Sequence, residues 1–170
     1  MLDYLLTEEQ QMIRELARKV SLEKVLPKRA EWDETGEFPW EALKAFSAAD
    51  LCGLYIPEEL GGMGQSVFNF CIATEEISRV CGGVGVTFAA SALGSTPILL
   101  YGTDEQKKKY MPDIAAGKKL AAFGLTEANA GSDAASMETT ATLDPARRGA
   151  SGGGDYIING EKIWITNGGI

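Results

Sequence analysis

The chain contains no histidine among its 170 residues. That absence excludes a Ser-His-Asp triad, a Cys-His dyad and a His-ligated metal site built from this chain alone. Proton transfer then falls to carboxylates, Lys, Tyr or Cys. Cysteine is sparse too. Cys52, Cys71 and Cys81 are odd in number, and no pair has CxxC spacing. They read as three reduced, buried thiols of a cytoplasmic protein. Positive charge is in deficit, with 16 Lys+Arg against 24 Asp+Glu and a net charge of −8. Such a chain is a poor general binder of nucleic acid or of an anionic membrane surface. Asp3, Glu8 and Glu9 stand where a basic signal region or an acid-poor transit peptide would lie, so no targeting segment is expected. Between Arg79 and Asp104 charge is missing altogether. Gly82, Gly83, Gly85, Gly94, Gly102 and Pro97 interrupt that stretch, and it reads as a buried helix of a helical core rather than a membrane span.

Apolar residues make up 45% of the chain, enough to build the core of one domain or two small ones. Residues 1–119 carry a helical pattern. Thr7-Glu8-Glu9-Gln10 has the form of a capping box, and Leu5, Met12, Ile13, Leu16 and Val20 follow at helical spacing up to Pro27. Pro39 opens a helix bearing Trp40, Leu43 and Phe46, and Gly61 to Gly64 reads as a loop. A long helical zone begins near Val67. Thr103-Asp104-Glu105-Gln106 is a second capping box, for a helix that ends near Ala116 with Gly117 as its cap.

Residues 120–170 change period. Leu120 to Leu125 is a strand-length apolar run, and Met137 to Leu143 is Thr-rich and roughly alternating. Tyr156 to Thr166 predicts two strands joined by an Asn159-Gly160 turn. Asp144 to Asp155 reads as a polar loop. The expected class is α+β by segregation: an all-α domain at 1–119, then the incomplete start of a β-domain at 120–170. A few strands with open edges make an unstable finish, so a longer protein is expected.

Several motif matches carry no chemistry. Gly149-Ala150-Ser151-Gly152-Gly153 fits GxSxG, but it lies in a Gly-rich loop with no His to activate the serine. Gly83-Val84-Gly85 starts a dinucleotide fingerprint that fails at Phe88. Gly117-Lys118-Lys119 lacks the rest of a P-loop, and Lys107 to Lys109 reads as a solvated helix face.

Two segments stand apart. Phe123-Gly124-Leu125-Thr126-Glu127-Ala128-Asn129-Ala130-Gly131-Ser132-Asp133 joins hydroxyls and carboxylates to small residues. Successive small residues can aim backbone N–H groups at an anion such as a phosphate. Ile163-Trp164-Ile165-Thr166-Asn167-Gly168-Gly169 puts an aromatic beside a hydroxyl, which suits a flat ring with polar edges. Taken singly, each is open between a ligand site and an ordinary turn or core tryptophan.

Together, F-G-L-T-E-A-N-A-G-S-D and N-G-E-K-I-W-I-T-N-G resemble the acyl-CoA dehydrogenase family. L-T-E-E-Q-Q near the start, I-P-E-E-L-G-G-M-G-Q at 56–65 and Y-G-T-D-E-Q-K-K-K-Y at 101–110 agree with it. Two features depart: Ala128 stands where the family often has Pro, and the Asp144–Gly154 loop looks long. The resemblance implies an α-domain, a β-domain and a C-terminal helical bundle, with this sequence matching the first and part of the second. It implies FAD contacts from Phe123, Leu125, Thr126, Gly131, Ser132, Trp164, Ile165 and Thr166. Ser132 would also meet the acyl-CoA substrate. The implied reaction is α,β-desaturation of an acyl-CoA thioester, with electrons passed to an electron-transfer flavoprotein and the protein a homo-oligomer. The family's usual Glu base belongs to the bundle, so no catalytic base is expected in this chain. Relatives of the same fold include acyl-CoA oxidases and flavin monooxygenases, and a non-catalytic binding module is a third reading.

Overall fold

A computed structural model describes residues 5–148 and 154–170. The GxSxG match at 149–153 and Asp3 lie outside the described residues. Six α-helices precede a two-stranded antiparallel sheet among the described residues, which is the segregated α+β arrangement. The helices are α1 (Glu8–Val20), α2 (Arg29–Thr35), α3 (Trp40–Ala48), α4 (Val67–Val80), α5 (Gly82–Tyr101) and α6 (Asp104–Ala115). The strands are β1 (Thr140–Arg148) and β2 (Gly154–Asn159).

Both capping boxes form. The Thr7 hydroxyl accepts the Gln10 N–H while the Gln10 side chain accepts the Thr7 N–H, and Thr103 and Gln106 repeat the exchange at α6. Each box satisfies N–H groups that a helix start leaves without partners. Gly117 has φ +62 and closes α6 through its N–H to the Ile114 carbonyl. Helix α2 was not expected from the sequence. It is a short polar helix that ends on Gly36 at φ +71. A π-helical turn at Ser21–Val25 carries the end of α1 to Pro27.

Helix α1 packs through Ile13 and Ala17, whereas Met12 and Leu16 are exposed. Periodicity located this helix and left its buried face undecided. Arg18 on α1 donates from Nε and Nη2 to the two carboxylate oxygens of Glu76 on α4, each at 2.9 Å. Glu76 is buried, so the pair fixes how α1 lies on α4. Phe88 of α5 stacks on Phe70 of α4 with ring centroids 4.8 Å apart and meets Phe46 of α3 edge-on at 5.5 Å. This aromatic cluster is the centre of the core.

The expectation of a buried uncharged helix holds for one face only. Helix α5 buries Val84, Thr87, Phe88, Ala90 and Ser95, but Val86, Leu93, Leu100 and Tyr101 face outward. By length and composition alone α5 could cross a membrane, though its core face is packed into α3 and α4. Nor are all three thiols buried. Cys71 is exposed on α4, and Cys52 and Cys81 are half-buried.

The strand predictions are corrected more deeply. Leu120 to Leu125 forms no strand; it crosses the flank of α5 as an extended segment. Gly94 allows that crossing, because a Cβ there would stand 2.8 Å from the Ala122 carbonyl oxygen. The Asn159-Gly160 turn does not form either. β2 pairs with β1, with Ile158 opposite Ala141 and Thr140 opposite Asn159. Most of the expected Asp144–Asp155 loop is thus strand. Gly160 instead lies against Thr139, where any side chain would strike the threonine.

Candidate functional site

Two pieces of chain meet on one flank of α5, the segment from Leu120 and the stretch from Glu161 to Gly169, and the Thr126–Ser132 turn is bonded to the second of them. One backbone bond joins the two motifs: the Ile163 N–H donates to the Thr126 carbonyl at 2.9 Å. Within the turn, Glu127 and Ala130 exchange backbone bonds, which closes it tightly.

Glu127 is only 7% exposed. Its carboxylate accepts from Lys162 Nζ at 2.7 Å and from the Glu138 and Thr139 backbone N–H groups at 2.7 and 3.0 Å. The Lys162 ammonium and these amides hold its carboxyl down at about 2. So low a value makes it a poor proton acceptor, and its oxygens are already engaged. Lys162 also donates to the Leu125 carbonyl at 2.8 Å. Sequence reasoning quoted Glu127 and Lys162 only as parts of motifs. Their i to i+35 pairing had no local signal.

Asn167 was likewise unmarked. Its backbone has φ +64, and its side-chain Nδ2 donates to the Thr87 carbonyl on α5 at 3.0 Å and to the Ala121 carbonyl at 3.3 Å.

Above these ties lies an open groove of about 240 Å³. Val86, Ala89, Ala90 and Leu93 of α5 form one wall, and Phe123, Trp164 and Thr166 form the other. Trp164 sits at the rim, 86% exposed, with its backbone at φ +57. A left-handed bulky residue is costly, and such outliers cluster at functional sites. The Thr166 hydroxyl has no partner among the described residues. No carboxylate lines the groove.

Of the sequence-predicted site residues, Phe123, Trp164 and Thr166 therefore come together. Ile165 points elsewhere, over Gly124. Leu125 and Thr126 lie beside the groove and not in its wall. Gly131 and Ser132 are exposed on the turn, and their N–H groups make no hydrogen bond among the described residues. A Cβ built on Gly131 would meet nothing within 4 Å. The arrangement offers an apolar slot with a hydroxyl on its edge, and beside it a turn with free backbone donors.

The chain matches the acyl-CoA dehydrogenase N-terminal domain family over residues 7–118 and the middle domain family over residues 122–170. A short-chain-specific acyl-CoA dehydrogenase of Clostridium acetobutylicum is 42% identical over 170 residues, covering 99% of this chain and 43% of the relative. A chain of the solved structure on the electron transferring flavoprotein of Acidaminococcus fermentans is 41% identical with a TM-score of 0.88, covering 99% of this chain and 42% of that one. The acyl-CoA dehydrogenase of Bacillus anthracis, solved in complex with FAD, is 39% identical with a TM-score of 0.80, covering 96% and 27% of the two chains. The chain thus spans 40–43% of the length of curated relatives it matches. Both domain families follow in order along the sequence, and these 170 residues belong to the acyl-CoA dehydrogenase family.

Proposed function

We propose that this chain supplies the α-domain, residues 1–119, and the start of the β-domain, residues 120–170, of an FAD-dependent enzyme that desaturates acyl-CoA thioesters. The observation that carries the reading is the convergence of Phe123, Trp164 and Thr166 with α5 on one apolar groove. The residues fit the cofactor. Apolar walls and an exposed indole suit a flat ring system, and the Thr166 hydroxyl is free to donate at its edge. Leu125 and Thr126 stand outside the groove wall, and Ile165 packs over Gly124 instead of facing the slot. The unpartnered N–H groups of Gly131 and Ser132 suit a pyrophosphate, with open space above Gly131. By the family resemblance, Ser132 is also proposed to meet the acyl-CoA. When bound, FAD is the two-electron acceptor for the hydride leaving the acyl β-carbon.

This chain's own part is to bind and orient. The α5 wall and Phe123 exclude water from one side of the slot. The α-proton must go to a base, and Glu127 is unsuited because Lys162 and two amides hold it ionised and occupied. The family resemblance puts the base on a carboxylate of the C-terminal bundle, outside these residues. Electrons pass on to an electron-transfer flavoprotein, and the protein acts as a cytoplasmic homo-oligomer. Free thiols suit a reducing compartment.

The test uses the protein as its gene encodes it. It should purify with a flavin absorption band that bleaches without oxygen when butyryl-CoA is added. Short chains come first because the Clostridium relative is described as short-chain specific. Reoxidation by an electron-transfer flavoprotein, with little hydrogen peroxide in air, supports a dehydrogenase. Rapid peroxide formation would mean an oxidase. Protein that binds no FAD would overturn the reading.

A further inference from the structure

The groove is lined from three parts of the sequence, and little backbone pairing holds them at one spacing. The Ile163 N–H to Thr126 bond joins the two motif segments to each other, but neither to α5. Lys162 and Glu127 do the same within that pair of segments. One side chain ties all three parts together. Asn167 follows Thr166 directly, and its Nδ2 donates at 3.0 Å to Thr87 of α5 and at 3.3 Å to Ala121, two residues before Phe123.

The chemistry of the position is specific. Two carbonyl oxygens need two hydrogens on one atom, and a primary amide supplies them. The backbone stands at φ +64, a region that Asn tolerates better than other non-glycine residues. Asp would tolerate the backbone and present oxygens to oxygens. Gly would tolerate it and present nothing.

We propose that Asn167 is the positioning residue of the groove, tying the Trp164–Thr166 segment at once to α5 and to the segment that carries Phe123. This rests on the reading of the groove as a flavin site. Asn167 does not touch the reacting atoms; it sets where the indole and the Thr166 hydroxyl stand relative to α5.

Asn167→Asp and Asn167→Gly test it in the protein as its gene encodes it. Both variants should fold and keep the Thr126–Ile163 pairing. Two hydrogen bonds lost from a positioning contact should weaken FAD binding by about tenfold and shift the visible flavin band. FAD affinity within twofold of the parent and an unshifted band, in either folded variant, would overturn the proposal. So would failure of both to fold, since Asn167 would then hold the fold and not the groove. If the parent protein binds no FAD, the flavin reading fails by itself. The tie is then judged on the apoprotein, where backbone hydrogen exchange at 163–168 should quicken about tenfold in both variants. Unchanged exchange there would overturn it.

Discussion

Lys162 Nζ stands 2.7 Å from Glu127 Oε1 and joins two segments 35 residues apart. The Lys162 and Glu127 side chains are 20% and 8% exposed, so water screens the pair less than it would a surface pair. Two backbone amides complete the carboxylate's shell. The arrangement welds the turn before Gly131 to the start of β1 and to the stretch before Trp164.

This weld has a pH signature. Glu127 sits at about 2 against an ordinary 4.5. Its stabilisation is fully present above 4.5 and is lost as pH falls through the range down to about 2. Glu127→Gln should lower the thermal midpoint by several degrees at pH 7. The gap between parent and variant should shrink steadily as pH falls from 5 towards 2. Thermal melts at a series of pH values check this, and a gap that is constant or grows on acidification contradicts it.

Local chemistry made part of this molecule legible in advance. The capping boxes at Thr7 and Thr103 and the Gly117 cap depend on residues three or four apart, so the sequence states them directly. Strands were foreseen at Met137–Leu143 and from Tyr156, where β1 and β2 lie, but their pairing failed for the opposite reason. Asn159-Gly160 is a strong turn signal, yet Ile157 and Ile158 find Thr142 and Ala141 across the sheet, and that longer pairing wins. The site was half legible. Trp164 and Thr166 stood out by residue type, and Phe123 entered through the family resemblance. Val86, Ala89, Ala90 and Leu93 looked like any apolar helix, and only the crossing of residues 120–122 at Gly94 makes them a wall. The exposed face of α5 and the left-handed Trp164 had no local signal.

Cys52 should be inert. Burial, and secondarily the charge of Asp50, push its thiol up to about 12. The reactive form is the thiolate, so at pH 8 about one molecule in ten thousand is competent at any moment. In native protein Cys52 should resist iodoacetamide at pH 8 and react only after denaturation. Peptide mapping of alkylated native protein checks this, and prompt labelling of Cys52 would contradict it.

Gly131 separates fold from ligand. Its backbone is not left-handed, and a side chain there meets no neighbour within 4 Å. Gly131→Val should therefore leave the thermal midpoint of the apoprotein within about 2 °C, a shift of up to about 1 kcal/mol. The added bulk would stand where the pyrophosphate is proposed to lie. FAD retention on purification should fall sharply. Full flavin occupancy in this variant would move the phosphate site away from the turn.

Trp164 should show stability and binding moving in opposite directions. Its indole is 86% exposed, so it adds little to the core, while its backbone holds φ +57. A non-glycine residue in that region costs about 1–2 kcal/mol. Trp164→Gly removes the strain, offset in part by the greater freedom glycine has when unfolded. The apoprotein should be as stable as the parent or slightly more so. The same change deletes one wall of the groove, and FAD affinity should fall by about tenfold or more, as expected for a stacking contact of about 1–3 kcal/mol. Trp164→Phe keeps an aromatic face and the strained backbone, so it should retain most of the affinity with no gain in stability. Thermal melts of apoprotein and fluorescence titration with FAD read the two effects independently. A large loss of stability in Trp164→Gly would show that the indole is part of the core in the working protein, and not a rim held open for a ligand.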